Sequence, residues 1–152
     1  MAGITNRGKW LILNYYFRRQ GSLPGSFYIA LCRETVAPNE DTNTMSELVE
    51  ITAGNGYTSG GQQIQANTTG FDGGGEDDTY NKAYVKRTDT QFLATIGYLP
   101  SDQVGARYAV LTDDNATLGD RQIIAWWDLG ANRVVSPSQS LLLEDCILQL
   151  EE

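Results

Sequence analysis

The sequence predicts a mainly β fold, an antiparallel β-sandwich of jelly-roll type carrying one N-terminal amphipathic α-helix. Three observations lead there. Short runs rich in β-branched and aromatic residues recur along the chain, turn-forming residues separate them, and one segment near the start has helical spacing of apolar positions. The 152 residues suit a single domain over 1–152, with the helix at about 6–19 and the sandwich at about 26–150.

Thr5 is placed to cap a helix running from Asn6 to Arg19. Trp10, Leu13 and Phe17 share one face, and Leu11, Ile12, Tyr15 and Tyr16 widen the apolar stripe past half the circumference. So wide a stripe calls for burial on more than one side, within the chain or against another subunit. Arg18 and Arg19 complement the helix dipole at its end.

Gly21 to Gly25 turns the chain into a strand from Ser26 to Arg33, with Phe27, Ile29 and Leu31 on one face and Tyr28, Ala30 and Cys32 on the other. A polar loop covers 34–46, and Ser46 to Ile51 reads either as a strand or as one helical turn. Gly54-Asn55-Gly56-Tyr57 is a turn leading into a polar strand, Tyr57 to Gln65. Residues 66–81 contain a Gly triplet among acids and read as a solvated loop. Asp72, Glu76, Asp77 and Asp78 offer oxygen ligands suited to calcium, but their spacing is not that of an EF-hand. Strands follow at Lys82 to Arg87 and Gln91 to Ile96, then a turn-rich connection from Gly97 to Gly105.

The most apolar part of the chain is a hairpin, Ala106 to Leu111 and Gln122 to Trp127, joined by a polar loop. Strict alternation places Ile124 and Trp126 on one face and Ile123, Ala125 and Trp127 on the other. A strand apolar on both faces needs cover on both. Gly130-Ala131-Asn132 reads as a turn, Ser136-Pro137-Ser138 as a break, and Leu141 to Leu150 as a last strand that Glu144 and Asp145 interrupt.

Net charge is −8, yet every charged residue up to Arg33 is basic: Arg7, Lys9, Arg18, Arg19 and Arg33. An acidic body gains no counterion release on nucleic acid, so no nucleic-acid partner is expected. No apolar run approaches the ~20 residues of a membrane span, and no cleavage site follows the short apolar centre of the first helix. The absence of histidine excludes Ser–His–Asp and Cys–His catalysis and argues against zinc. Cys32 and Cys146 read as buried free thiols. With no phosphate-binding loop and with the acids clustered in turns, no catalytic residue, metal or cofactor is expected.

The order of the pieces resembles a family of tailed-bacteriophage virion structural proteins, some of them described as tail-fibre-like. The resemblance is carried by the helix Asn6 to Arg19, the strand pattern Tyr28-Ile29-Ala30-Leu31, Glu50-Ile51 before Gly54-Asn55-Gly56-Tyr57, the pair Tyr108 to Asp114 and Arg121 to Trp127, and the closing segment Ser140 to Leu150. It covers the chain from end to end, departing at the long Gly/Asp-rich segment 66–81 and at Glu144-Asp145. It implies a non-enzymatic virion component, assembled in the host cytoplasm. The expected role is a decoration or cement protein on the outer capsid surface. Its partners would be the major capsid protein and copies of itself, as a dimer or trimer. The acidic charge suits the outside of a DNA-filled shell. The rival readings are a tail-fibre or adaptor protein and a carbohydrate-binding sandwich used in adhesion. Candidate partner-contacting residues are Trp126 or Trp127, since both cannot easily face one core, against the alternative that both pack internally with helix 6–19 covering the second face; next come Tyr15, Tyr16 and Phe17 with the basic pair Arg18 and Arg19.

Overall fold

The computed structural model describes residues 2–151, and the fold is mainly β with antiparallel sheets and one N-terminal helix. The main sheet has five strands in the order β1 (Ala2–Ile4), β8 (Ile123–Arg133), β7 (Ala106–Thr112), β2 (Ser26–Cys32) and β3 (Gln62–Gln65), every neighbouring pair antiparallel. Two smaller sheets complete the β structure of the described residues. One runs β10 (Ile147–Glu151), β5 (Lys82–Lys86), β4 (Gly73–Asp77), and the other pairs β6 (Thr90–Leu93) with β9 (Ser140–Leu143). This layering fits a jelly-roll-like sandwich.

The central strands β2, β7 and β8 are apolar on both faces, and each face has its own cover. Ile29, Leu31, Ala109, Leu111, Ala125 and Trp127 share one cluster with Phe92, Leu143 and Leu148 from the small sheets. Ala30, Cys32, Val110, Ile123 and Trp126 form a second with Met45 and Leu48. Met45 opens and Leu48 directly follows a single 3₁₀ turn, Met45–Glu47, stabilised by a capping box between Thr44 and Glu47. That turn resolves the ambiguity of Ser46 to Ile51.

Strict alternation fails at the start of β8. Leu111 pairs with Ala125 but Thr112 pairs with Ile123, so Ile124 is an extra residue in a β-bulge. Ile124 therefore joins Ala125 and Trp127 in the main core, while Ile123 joins Trp126 in the second. A second irregularity, where Tyr108 meets Asp128 but Ala106 meets Arg133, absorbs the Gly130–Asn132 turn into β8.

Three other expectations need correction. Residues 66–81 are not all loop, because Gly73–Asp77 forms β4 and pairs along the whole of β5. Three glycines carry no side-chain alternation, so only the partner strand reveals this one. The polar strand begins at Gln62 rather than Tyr57. At Gly61, in the left-handed region (φ 80°), an added Cβ would lie 2.0 Å from the Ile29 carbonyl oxygen, so the chain turns tight against β2 here and pairs from Gln62 onward. The last strand is two strands. Asp145 at φ 51° turns the chain between them, so β9 pairs with β6 and β10 with β5.

Buried polar groups pin the long connections to the sheet. The Tyr57 hydroxyl accepts from the Leu31 N–H at 3.0 Å and donates to Glu50 Oε1 at 2.6 Å, and that oxygen also accepts from the Gly60 N–H. Arg121 donates to the Gly60 and Asn115 carbonyls, and its guanidinium lies 3.7 Å from the centre of the Tyr28 ring.

Candidate docking surface

Helix α1 (Asn6–Leu13) is fastened to β8 at its first turn. Thr5 Oγ1 accepts from the Gly8 N–H at 2.8 Å and donates to the Ile123 carbonyl at 2.5 Å, so one hydroxyl caps the helix and holds it to the sheet. Gly8 then sits against the backbone of β8, where an added Cβ would lie 2.4 Å from the Ile124 oxygen. This close approach selects the inward face, made of Gly8, Leu11 and the half-buried Tyr15. Only this one side of the wide stripe is buried within the chain, and the face of Trp10, Leu13 and Phe17 points to solvent. Backbone proximity at the smallest residue decides the rotation, and the larger apolar stripe is left outside.

The α-helix also ends sooner than expected. Asn14–Arg18 forms a π-helical turn, a feature frequent at functional sites, and Arg19 closes it in the left-handed region at φ 54°. Tyr16, Phe17 and Leu23 are 68, 72 and 75% exposed. Tyr16 and Phe17 pack edge to face with ring centroids 5.0 Å apart. The Arg18 guanidinium lies 5.3 Å from the Trp10 ring centre and that of Arg19 lies 5.9 Å from Tyr16, so two cations rest on an exposed aromatic surface.

Beside this surface lies an apolar groove of about 660 Å³. Leu11, Tyr15, Phe27, Phe71, Leu111 and Leu148 are among its lining residues, and Tyr16, Arg19, Leu23 and Val85 also border it. Phe27 and Phe71 meet edge to face at 5.5 Å, so part of the wall is fixed by aromatic packing. Burial, and secondarily the Asp113 carboxylate, push the Tyr15 phenol above its ordinary pKa, which keeps it neutral.

The structure brings Tyr15, Tyr16, Phe17, Arg18 and Arg19 together at this surface. Trp126 and Trp127 do not join them. Both indoles are buried within the chain on opposite faces of β8, and Trp127 Nε1 donates to the Ile147 carbonyl at 3.3 Å. Ile12 and Leu23 are surface members that sequence reasoning did not single out as contacts. The Gly8, Leu11, Tyr15 spacing was the available signal, because a glycine within a helix marks the side that approaches another backbone. No cluster of three or more His, Cys, Asp or Glu side chains suited to a metal occurs among the described residues. The surface is chemically equipped to associate. It offers apolar area, aromatic edges and a cationic rim. In comparisons with models of protein families, with curated proteins and with solved structures, nothing matches this chain.

Proposed function

We propose that this chain is a non-enzymatic structural protein of a tailed-bacteriophage virion, a decoration protein that binds the outer surface of the assembled head and stabilises it. The observation that carries the reading is the uncovered aromatic and basic surface of the N-terminal segment on a chain whose central strands are already covered on both faces by its own residues. Such a surface suits docking onto another protein, and the end-to-end resemblance supplies the virion as the place. A protein that binds only the assembled shell stabilises it by mass action. A net charge of −8 favours the outside of a shell packed with phosphate.

The test is the copy number of this chain relative to the major capsid protein in purified particles, by quantitative mass spectrometry. Decoration predicts a ratio near one or a simple lattice fraction. A handful of copies per particle moves the chain to the tail, and its absence from particles overturns the virion reading and directs attention to glycan binding.

A further inference from the structure

The groove has a matching shape on the same molecule. The β4–β5 hairpin ends in a turn over 78–81, where Tyr80 is 71% exposed. Glu76 and Asp78 beside it are exposed carboxylates, while Asp77 Oδ1 accepts from the Thr79 and Tyr80 N–H groups and so shapes the turn. Lys82 stacks on Tyr80, its Nζ 5.3 Å from the ring centre. The hairpin tip is therefore an exposed aromatic flanked by acids. The groove margin is the converse, an apolar hollow with Arg19 at its edge and Arg18 next to it in the chain, in a segment with no acid before Glu34, and with the buried Asp113 as the one acid of its wall among the described residues.

The two halves are neighbours. Val85 of β5 lines the groove, and Lys82 at the head of the same strand lies only about 10 Å further along it at ~3.3 Å per residue. A surface with complementary halves side by side suits a two-fold contact, in which each copy gives and receives the same element. Area argues for a protein occupant. Ile12, Tyr16 and Leu23 at the groove margin leave on the order of 400 Å² of apolar side chain open, as much as the largest apolar patch of a typical monomer, and a reciprocal second contact brings each partner's share toward the ~800 Å² of a standard interface. Charge decides the arrangement. Stacking two helix surfaces directly would oppose Arg18 and Arg19 to their own copies, whereas inserting the hairpin opposes them to Glu76 and Asp78.

We propose that the groove beneath the N-terminal helix is occupied by the β4–β5 hairpin of a second copy, Tyr80 entering the hollow and Glu76 and Asp78 meeting Arg18 and Arg19, reciprocally in a two-fold dimer. The proposal deepens the self-association contained in the virion reading but stands on the chain's own surface, so particle counting and solution mass fail independently.

The experiment is sedimentation equilibrium of the full chain at about 50 mM and about 500 mM salt, where screening lengths differ roughly threefold. The wild type is expected at twice the chain mass in low salt, with Kd at least tenfold weaker in high salt. R18E/R19E and E76K/D78K are each expected to be monomeric while keeping the wild-type circular dichroism spectrum. Mixed one to one, they recover the dimer, because each reversed groove then meets an oppositely charged hairpin. Tyr80→Ser weakens the dimer at least tenfold without touching charge. A wild-type monomer, a trimer or open polymer, a dimer indifferent to both reversals, or a mixture that stays monomeric overturns the proposal.

Discussion

Arg87 has no solvent exposure and is the largest side chain so buried. Its Nη1 donates to the Thr88 carbonyl and the Thr90 hydroxyl, its Nη2 donates to the Leu143 carbonyl at 3.2 Å, and its backbone N–H donates to the Cys146 carbonyl. One residue thus ties the β6–β9 pair to the chain between β9 and β10. Replacing Arg87 by Ala leaves several buried acceptors unpaired around a cavity, with an expected loss of about 3 kcal/mol in urea unfolding. Cys32 shows a different residue-scale effect. Burial, with a smaller contribution from the Glu50 carboxylate, pushes its thiol from 9.0 up to about 12, and burial also raises the Tyr57 phenol well above 10.0. Both groups stay protonated in the folded chain after their unfolded counterparts ionise. Their contribution is complete below the unfolded pKa and is lost as pH rises toward the folded one, at up to about 1.4 kcal/mol per pH unit per group. Stability measured by urea titration should therefore fall from about pH 9 upward, and Cys32→Ala should delay the start of that fall toward pH 10.

At the scale of elements, the helix is held by a contact that hydrophobic patterning does not express. Thr5 and Gly8 dock α1 on β8. Gly8→Ala would normally favour a helix, but here its methyl meets the backbone oxygen of Ile124, which has no room to retreat. The variant is expected to be destabilised by about 1–3 kcal/mol, with lost amide-exchange protection confined first to α1. Unchanged protection would show that the helix does not depend on this approach. The strands β2 and β7 are readable from their alternation, since their side chains face two dry cores. β4 is not, since its glycines pair through backbone alone and the apolar side chains of the hairpin, Ala83, Tyr84 and Val85, all stand on β5. The bulge at Ile124 is likewise a matter of register between two strands, and a single strand carries no sign of it.

For the whole molecule, charge is divided along the chain. The first 33 residues bring five cations and no acid to the N-terminal end, while all 19 acids follow. The fold converts that linear asymmetry into a surface asymmetry, with Arg19 at the groove and Glu76 and Asp78 on the adjoining hairpin. The proposed self-association is predicted to weaken with salt, as the solution mass at two salt concentrations will read. The candidate surface was half readable. Tyr16, Phe17, Arg18 and Arg19 stand out as an aromatic-basic run, but whether such a run is core or surface depends on how the helix is rotated against the sheet.

By itself the sequence determined the β-rich class, the one helix, the two-sided apolar character of the central strands and the basic start of an acidic chain, because each is written in local spacing and composition. Tertiary structure alone decided that both tryptophans turn inward to separate cores, that the glycine triplet becomes a strand, and that Trp10, Leu13 and Phe17 face out. Those outcomes depend on which backbones approach one another: β7 against β8 for the tryptophans, β5 against β4 for the glycines, and for the helix Thr5 and Gly8 against residues more than a hundred positions away. Periodicity reports the apolar side of a helix. The side that is buried is the one that fits.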